Sequence, residues 1–246
     1  MKKIALLFIG LAFFQSVLAQ KFEDLNLARL DFSFGIHSSY LKNESLDNYL
    51  KAYNTSNAAT LSKEFNNFRM LNGCEIGVKW NYLSIHYGQH TAAQWRGVSN
   101  DVERQFRVIN SYVNVLGTFQ VGPSKTRISI GLNTINSRFI AQVKYPNGEI
   151  SRGMDYRLNG TYKGKALNGT LRIEKKLQKK EIKYFSIFVQ FTGLIKDTES
   201  FYTDFNSSKA ALNTGNNAIT KLDAKAGFTG LLFGLNYNLV TNNRKK

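Results

Sequence analysis

The chain has 246 residues, 43% of them hydrophobic, and a formal net charge of +16. That length suits one undivided all-β domain. The single cysteine, Cys74, excludes an internal disulfide, so stability must come from a core or from closure of a sheet. Such a positive charge first suggests nucleic acid, but the N-terminus argues against that partner.

Lys2 and Lys3 precede an apolar run from Ile4 to Phe14, and Val17-Leu18-Ala19 then precedes Gln20. This is the three-part pattern of a secretory signal peptide, with cleavage expected after Ala19. The run is shorter than the ~20 residues of a spanning helix, and no cysteine adjoins the cut to accept a lipid. Residues 1–19 therefore read as a signal, and 20–246 as one domain without repeat, linker or composition break. Losing Lys2 and Lys3 lowers the charge from +16 to +14. For an exported chain, the fitting counter-charges are anionic headgroups, lipopolysaccharide phosphates and acidic groups inside a lumen.

Beyond the signal there is no long apolar run, and the mean hydropathy is -0.29. Two-residue alternation takes its place. In chain order, Phe32, Phe34, Ile36 and Tyr40 oppose Asp31, Ser33, Gly35, His37 and Ser39. Cys74, Ile76, Val78 and Trp80 oppose Glu75, Gly77 and Lys79; after Asn81-Tyr82, Leu83, Ile85 and Tyr87 oppose Ser84, His86, Gly88 and His90. Ile109, Val113, Val115 and Phe119 oppose Asn110, Tyr112, Asn114 and Thr118. Past the turn 122–125, Ile128, Ile130 and Leu132 oppose Arg127, Ser129, Gly131 and Asn133. Leu167, Leu171, Ile173 and Leu177 alternate with Thr170, Arg172, Glu174 and Lys176. A charged turn, 178–181, leads to Phe185, Ile187, Val189 and Phe191 opposite Tyr184, Ser186, Gln190 and Thr192. Last come Leu231, Phe233, Leu235, Tyr237 and Leu239 opposite Gly230, Gly234, Asn236 and Asn238.

These segments predict eight strands. Proline, which deletes a ladder donor, occurs only at Pro123 and Pro146. The second face is rich in Gly, Ser, Asn and Thr and carries charges of both signs. That suits a narrow polar interior better than a soluble surface, which has no need of the glycines. Connections alternate between short (81–82, 122–125, 178–181) and long (about 42–69, 91–104, 144–163, 195–226). Short periplasmic turns and long extracellular loops are the habit of membrane barrels. The expected fold is all-β: an eight-stranded antiparallel up-and-down transmembrane barrel with four long extracellular loops and both termini in the periplasm.

The signal peptide, the eight alternating segments, the loop order and the aromatic final strand (Phe228, Phe233, Tyr237) together resemble the small OmpA/OmpX-like outer-membrane β-barrel superfamily. The likeness spans roughly residues 30–240. It implies a cell outer-membrane location and contact with outer-membrane lipid and lipopolysaccharide, but no particular activity. Such barrels often end on an aromatic residue, whereas this chain continues past Leu239-Val240 to Arg244-Lys245-Lys246.

Candidate chemistry is sparse. His86 and His90 share a strand face with Ser84, and His37 lies on the same kind of face. A lipid-modifying Ser–His enzyme is one reading. A metal site is another, but positions four apart on a strand are ~13 Å apart, too far to share one ion. Lumen or rim hydrogen bonding is the expected role of His37, His86 and His90. No Gly-x-Ser-x-Gly, His-Glu-x-x-His or phosphate loop occurs. The expectation is no catalytic, cofactor or metal residue and no nucleic-acid partner. The expected role is structural or interactive, through long loops that meet lipopolysaccharide or other envelope proteins; a lipid A-modifying enzyme and a narrow channel are the alternatives. A helix-compatible stretch, Glu44 to Tyr53, places Leu46, Tyr49, Leu50 and Tyr53 on one side; a cap or plug for the barrel mouth is the favoured reading and a partner-binding helix the alternative. Tyr40, Trp80, Tyr82, Trp95, Tyr145 and Tyr184 are expected in interfacial girdles. Cys74 is expected to face lipid or lie buried.

Overall fold

The computed structural model describes residues 29–80, 82–98, 101–121, 125–151, 160–177, 183–203 and 228–242. The signal segment, the turns at 122–124 and 178–182, and the tail 243–246 lie outside the described residues. Among the described residues the elements are β1 (Arg29–Lys42), α1 (Glu44–Ser56), β2 (Met70–Trp80), β3 (Leu83–Val98), β4 (Val102–Gln120), β5 (Thr126–Lys144), the short β6 (Ile150–Ser151), β7 (Gly160–Lys176), β8 (Lys183–Thr203) and β9 (Thr229–Asn242).

Each long strand pairs antiparallel with its neighbours, and β9 pairs back onto β1 from Arg29↔Asn242 to Lys42↔Thr229. Eight strands thus close in the order β1-β2-β3-β4-β5-β7-β8-β9, with β6 a short addition to β5. Within the closed ring no ladder edge is left open, which is the condition for strands to stand in hydrocarbon. Leu30, Trp80, Leu83 and Gly117 follow one another in register, so the short β2–β3 turn lies at the same end of the barrel as the start of β1 and the end of β9.

Burial runs opposite to that of a soluble barrel. Phe34, Ile36, Ile76, Ile130 and Phe191 are about half exposed, while Asn110, Asn114, Asn168, Ser186 and Asn236 are fully buried. An apolar outer wall around a polar inside is the arrangement a bilayer selects. In every strand the predicted apolar set points out and the predicted polar set points in. Cys74 is exposed on the outer wall between Asn72 and Ile76. Tyr40, Trp80 and Tyr82 also face out at the ends of the apolar band. Tyr184 is a correction: it is 2% exposed and points into the lumen. Trp95 and Tyr145 are half-buried on the protruding sheet, outside the apolar band.

The second expected loop, 91–104, differs from expectation. β3 and β4 continue as a hairpin to Val98↔Val102, beyond the apolar band. Alternation persists there but its polarity inverts. Phe106, Val108, Phe139, Ala141 and Val143 turn inward and are buried, while Arg107 and Arg138 face outward. Once the sheet rises into water, the hydrophobic effect draws apolar side chains to the concave side.

That concave side receives α1. Asn43 caps the helix, its side chain accepting from the Leu46 N–H at 2.9 Å. Leu46, Tyr49, Leu50 and Tyr53 form one buried stripe against Phe65, Phe68, Leu71, Phe106, Val108 and Phe139. Residues 57–69 then line β3: Ser62 N–H donates to the Gly97 carbonyl, and Gln94 exchanges side-chain bonds with the Asn66 backbone. Arg69 and Asp47 pair at 2.8 Å. This segment caps the mouth.

Candidate functional site

Below the cap the lumen is crossed by ion pairs. Glu75 on β2 accepts from Arg172 on β7 at 2.6 and 3.1 Å, and Lys79 on β2 donates to Glu174 on β7 at 2.6 and 2.7 Å. In an eight-membered ring β2 and β7 stand opposite each other, so both pairs span the interior. All four side chains are buried, Arg172 to 1% exposure. Burying charges is costly unless both are paired and hydrogen-bonded, and here they are. Tyr112 and Asn236 donate to Glu75 at 2.9 and 3.1 Å, and Ser186 donates to Glu174 at 2.6 Å. The Arg172 guanidinium also lies 3.7 Å over the Phe188 ring.

Glycines make these reaches possible. Glu75 has Gly35 as its register partner on β1 and Gly88 on β3. Asn236 lies beyond Gly35, and Tyr112 beyond Gly88. A Cβ on Gly35 would stand 1.8 Å from Asn236 Oδ1, and one on Gly88 would stand 2.4 Å from the Tyr112 ring. The missing side chains are the channels through which two second-neighbour strands hold one carboxylate. Nearer the end that holds the β2–β3 turn, Arg127 donates to Tyr184 at 3.1 Å and pairs with Asp31 at 3.4 Å.

The histidines divide between two places. His37 and His90 meet across Gly73, their common register partner, with ring centroids 5.6 Å apart and Tyr112 beside both. His90 Nε2 and Asn110 Nδ2 are 3.2 Å apart. His86 lies lower, Nδ1 3.6 Å from Glu75. Ser84, the predicted companion of His86, instead bonds Thr118 at 3.0 Å, and Thr118 bonds Ser129 at 2.9 Å. No described hydroxyl hydrogen-bonds a His86 nitrogen, although Ser33 and His86 both close on Gly77. A Ser–His relay needs that bond. Among the described residues, no group of three or more His, Cys, Asp or Glu side chains could hold a metal ion.

A second candidate surface is the outer wall above the apolar band. On β5 the exposed Ile130 and Leu132 give way to Thr134, Asn136 and Arg138. Arg107 and Ser111 on β4 and Lys165 on β7 occupy the same zone, facing outward. Glu103 on β4 pairs with Lys144 at 3.0 Å. Sequence reasoning assigned the positive charge to lumen pairing and anionic lipid without naming these residues. The signal was present in the switch from apolar to basic residues along alternate positions.

No family model and no curated protein matches the chain. Among solved structures, Ail, the attachment invasion locus protein of Yersinia pestis, in complex with the heparin analogue sucrose octasulfate, aligns at TM-score 0.42 and 8% identity, over 86% of this chain and 98% of Ail. A major outer membrane protein from Thermus thermophilus aligns at TM-score 0.42 and 7% identity, over 86% and 99%. Neisserial surface protein A aligns at 0.37 and 9%, over 86% and 96%. At these scores the likenesses add nothing to the fold, which rests on ring closure and inverted burial.

Proposed function

We propose that the chain is a surface or envelope-complex subunit of the outer membrane: a non-catalytic, non-conducting barrel that presents its protruding sheet and basic outer wall to partners. The observation that supports this most is the double closure of the lumen. Two buried ion pairs cross the interior, and an apolar cap covers its extracellular mouth. A pore needs a continuous file of water, and eight strands enclose a space that side chains can fill. His86 is buried, and among the described residues no hydroxyl hydrogen-bonds its ring. What remains for contact is the extracellular side, where Arg107, Arg138 and Lys165 suit anionic glycolipid headgroups.

Planar-bilayer recording tests the first half. The reconstituted protein is expected to be silent, and discrete conductance steps from the unaltered chain would overturn the reading. Mass spectrometry of lipid A from expressing cells tests the second half. The masses are expected to be unchanged, and a mass shift lost with His86→Ala would make the chain an enzyme.

A further inference from the structure

The apolar cover of the outer wall is interrupted where β1 meets β2. Ser38 on β1 and Asn72 on β2 are register partners facing outward, and Ser38 Oγ donates to Asn72 Oδ1 at 2.7 Å. The Asn72 Nδ2 group has no partner among the described residues. An amide donor facing hydrocarbon is costly unless something accepts from it.

A groove of about 680 Å³ starts at this pair and crosses β1 and β9 to β8. Ile36, Ile187, Val189, Phe233 and Leu235 line it, and the inward-facing Gly73 and Gly234 add no side chain of their own. It descends as it goes. Residues 72 and 73 lie near the upper end of the exposed stretch of β2, whereas 187 to 189 lie in the lower half of that of β8. Three strand spacings give it a length of about 14 Å, the reach of about eleven methylene groups.

We infer that this groove seats one acyl chain of an outer-leaflet lipopolysaccharide, with the Ser38–Asn72 pair bound to the carbonyl or hydroxyl at the head of the chain. The polar pair stands at the end nearer the extracellular side, as an acyl head group requires. The apolar walls slope towards the bilayer centre, as the tail requires. The limited length fits the short chains of lipid A better than the longer chains of phospholipid. The inference rests on the outer-membrane reading above and deepens its lipid contact.

The test uses the full barrel in nanodiscs of phosphatidylethanolamine containing hexa-acylated lipid A, followed by native mass spectrometry. The unaltered protein is expected to keep one lipid A per barrel. Asn72→Leu, which removes the donor, and Val189→Trp, which fills the groove, are each expected to lower that retention at least fivefold. Equal retention by both variants overturns the proposal, as does retention of phosphatidylethanolamine in place of lipid A. Cys74 adjoins the groove on β2, so disulfide-linked dimers of the unaltered protein under mild oxidation would assign this wall to a second copy instead. Heat-modifiable gel migration, run on every variant, separates loss of the groove from loss of the barrel.

Discussion

Glu75 shows how closely the lumen is specified at single positions. It takes Arg172 from across the ring, Tyr112 over Gly88 and Asn236 over Gly35. Removing Arg172 alone strands a buried carboxylate. Arg172→Met is therefore expected to destabilise the barrel by about 3–5 kcal/mol, read as a fall in the urea midpoint of heat-modifiable migration. Glu75→Gln combined with Arg172→Met is expected to recover part of that loss, because no charge then lacks a partner. Gly88→Val should also destabilise, since its Cβ alone would meet the Tyr112 ring at 2.4 Å. From the sequence, Glu75, Arg172 and Glu174 were readable as lumen charges, and the glycines as marks of a crowded interior. Which carboxylate met which cation was not readable, because cross-lumen distance depends on the ring order and on the stagger between strands.

At the scale of elements, α1 and the β3–β4 hairpin form one unit above the apolar band. The helix was legible because Leu46, Tyr49, Leu50 and Tyr53 recur at helical spacing; its cap, Asn43, was not read from the sequence. The hairpin was not legible, because the apolar residues that mark the strands within the band leave the outer face above it. Above Tyr87 and below Val113 in sequence number that face holds Gln89, Thr91, Arg107 and Ser111 beside Ile109, and the buried apolar side chains are Phe106 and Val108 on the other side. A period that persists while its polarity flips is the mark of a strand leaving the bilayer. Leu50→Ala is expected to weaken the cap by about 2–5 kcal/mol, and Asn43→Ala by about 1 kcal/mol. Hydrogen exchange should show both as faster opening of residues 43–69, with β1, β8 and β9 unchanged. Equal acceleration in those strands would mean that cap and barrel unfold together.

At the scale of the whole molecule, the inward or outward orientation of the two strand faces is set by closure of the ring. Alternation alone allows either face to point inward; ring closure with half-exposed Ile76, Ile130 and Phe191 decides it. A charge at mid-band should then be costly. Ile85→Arg is expected to destabilise by about 2–4 kcal/mol in lipid, whereas Asn136→Arg, above the band, should change stability little. Two-state unfolding in vesicles measures both. Replacing Arg107, Arg138 and Lys165 together by Gln should weaken binding to anionic lipid vesicles by about 1 kcal/mol per charge removed. Added salt should shrink the difference between the two proteins.

The ion pairs across the lumen join residues 95 and 97 positions apart in the chain. Neither can form within a hairpin or between adjacent strands. Until β9 meets β1 and the ring is drawn in, Glu75, Lys79, Arg172 and Glu174 are each better off hydrated. The last step of folding thus removes water from four charges at once, and it is productive only if all four find partners together. Partly rolled sheets gain nothing from that exchange. Assembly should therefore be slow, as non-local pairing generally is, and should pass directly from an open, hydrated sheet to a closed barrel.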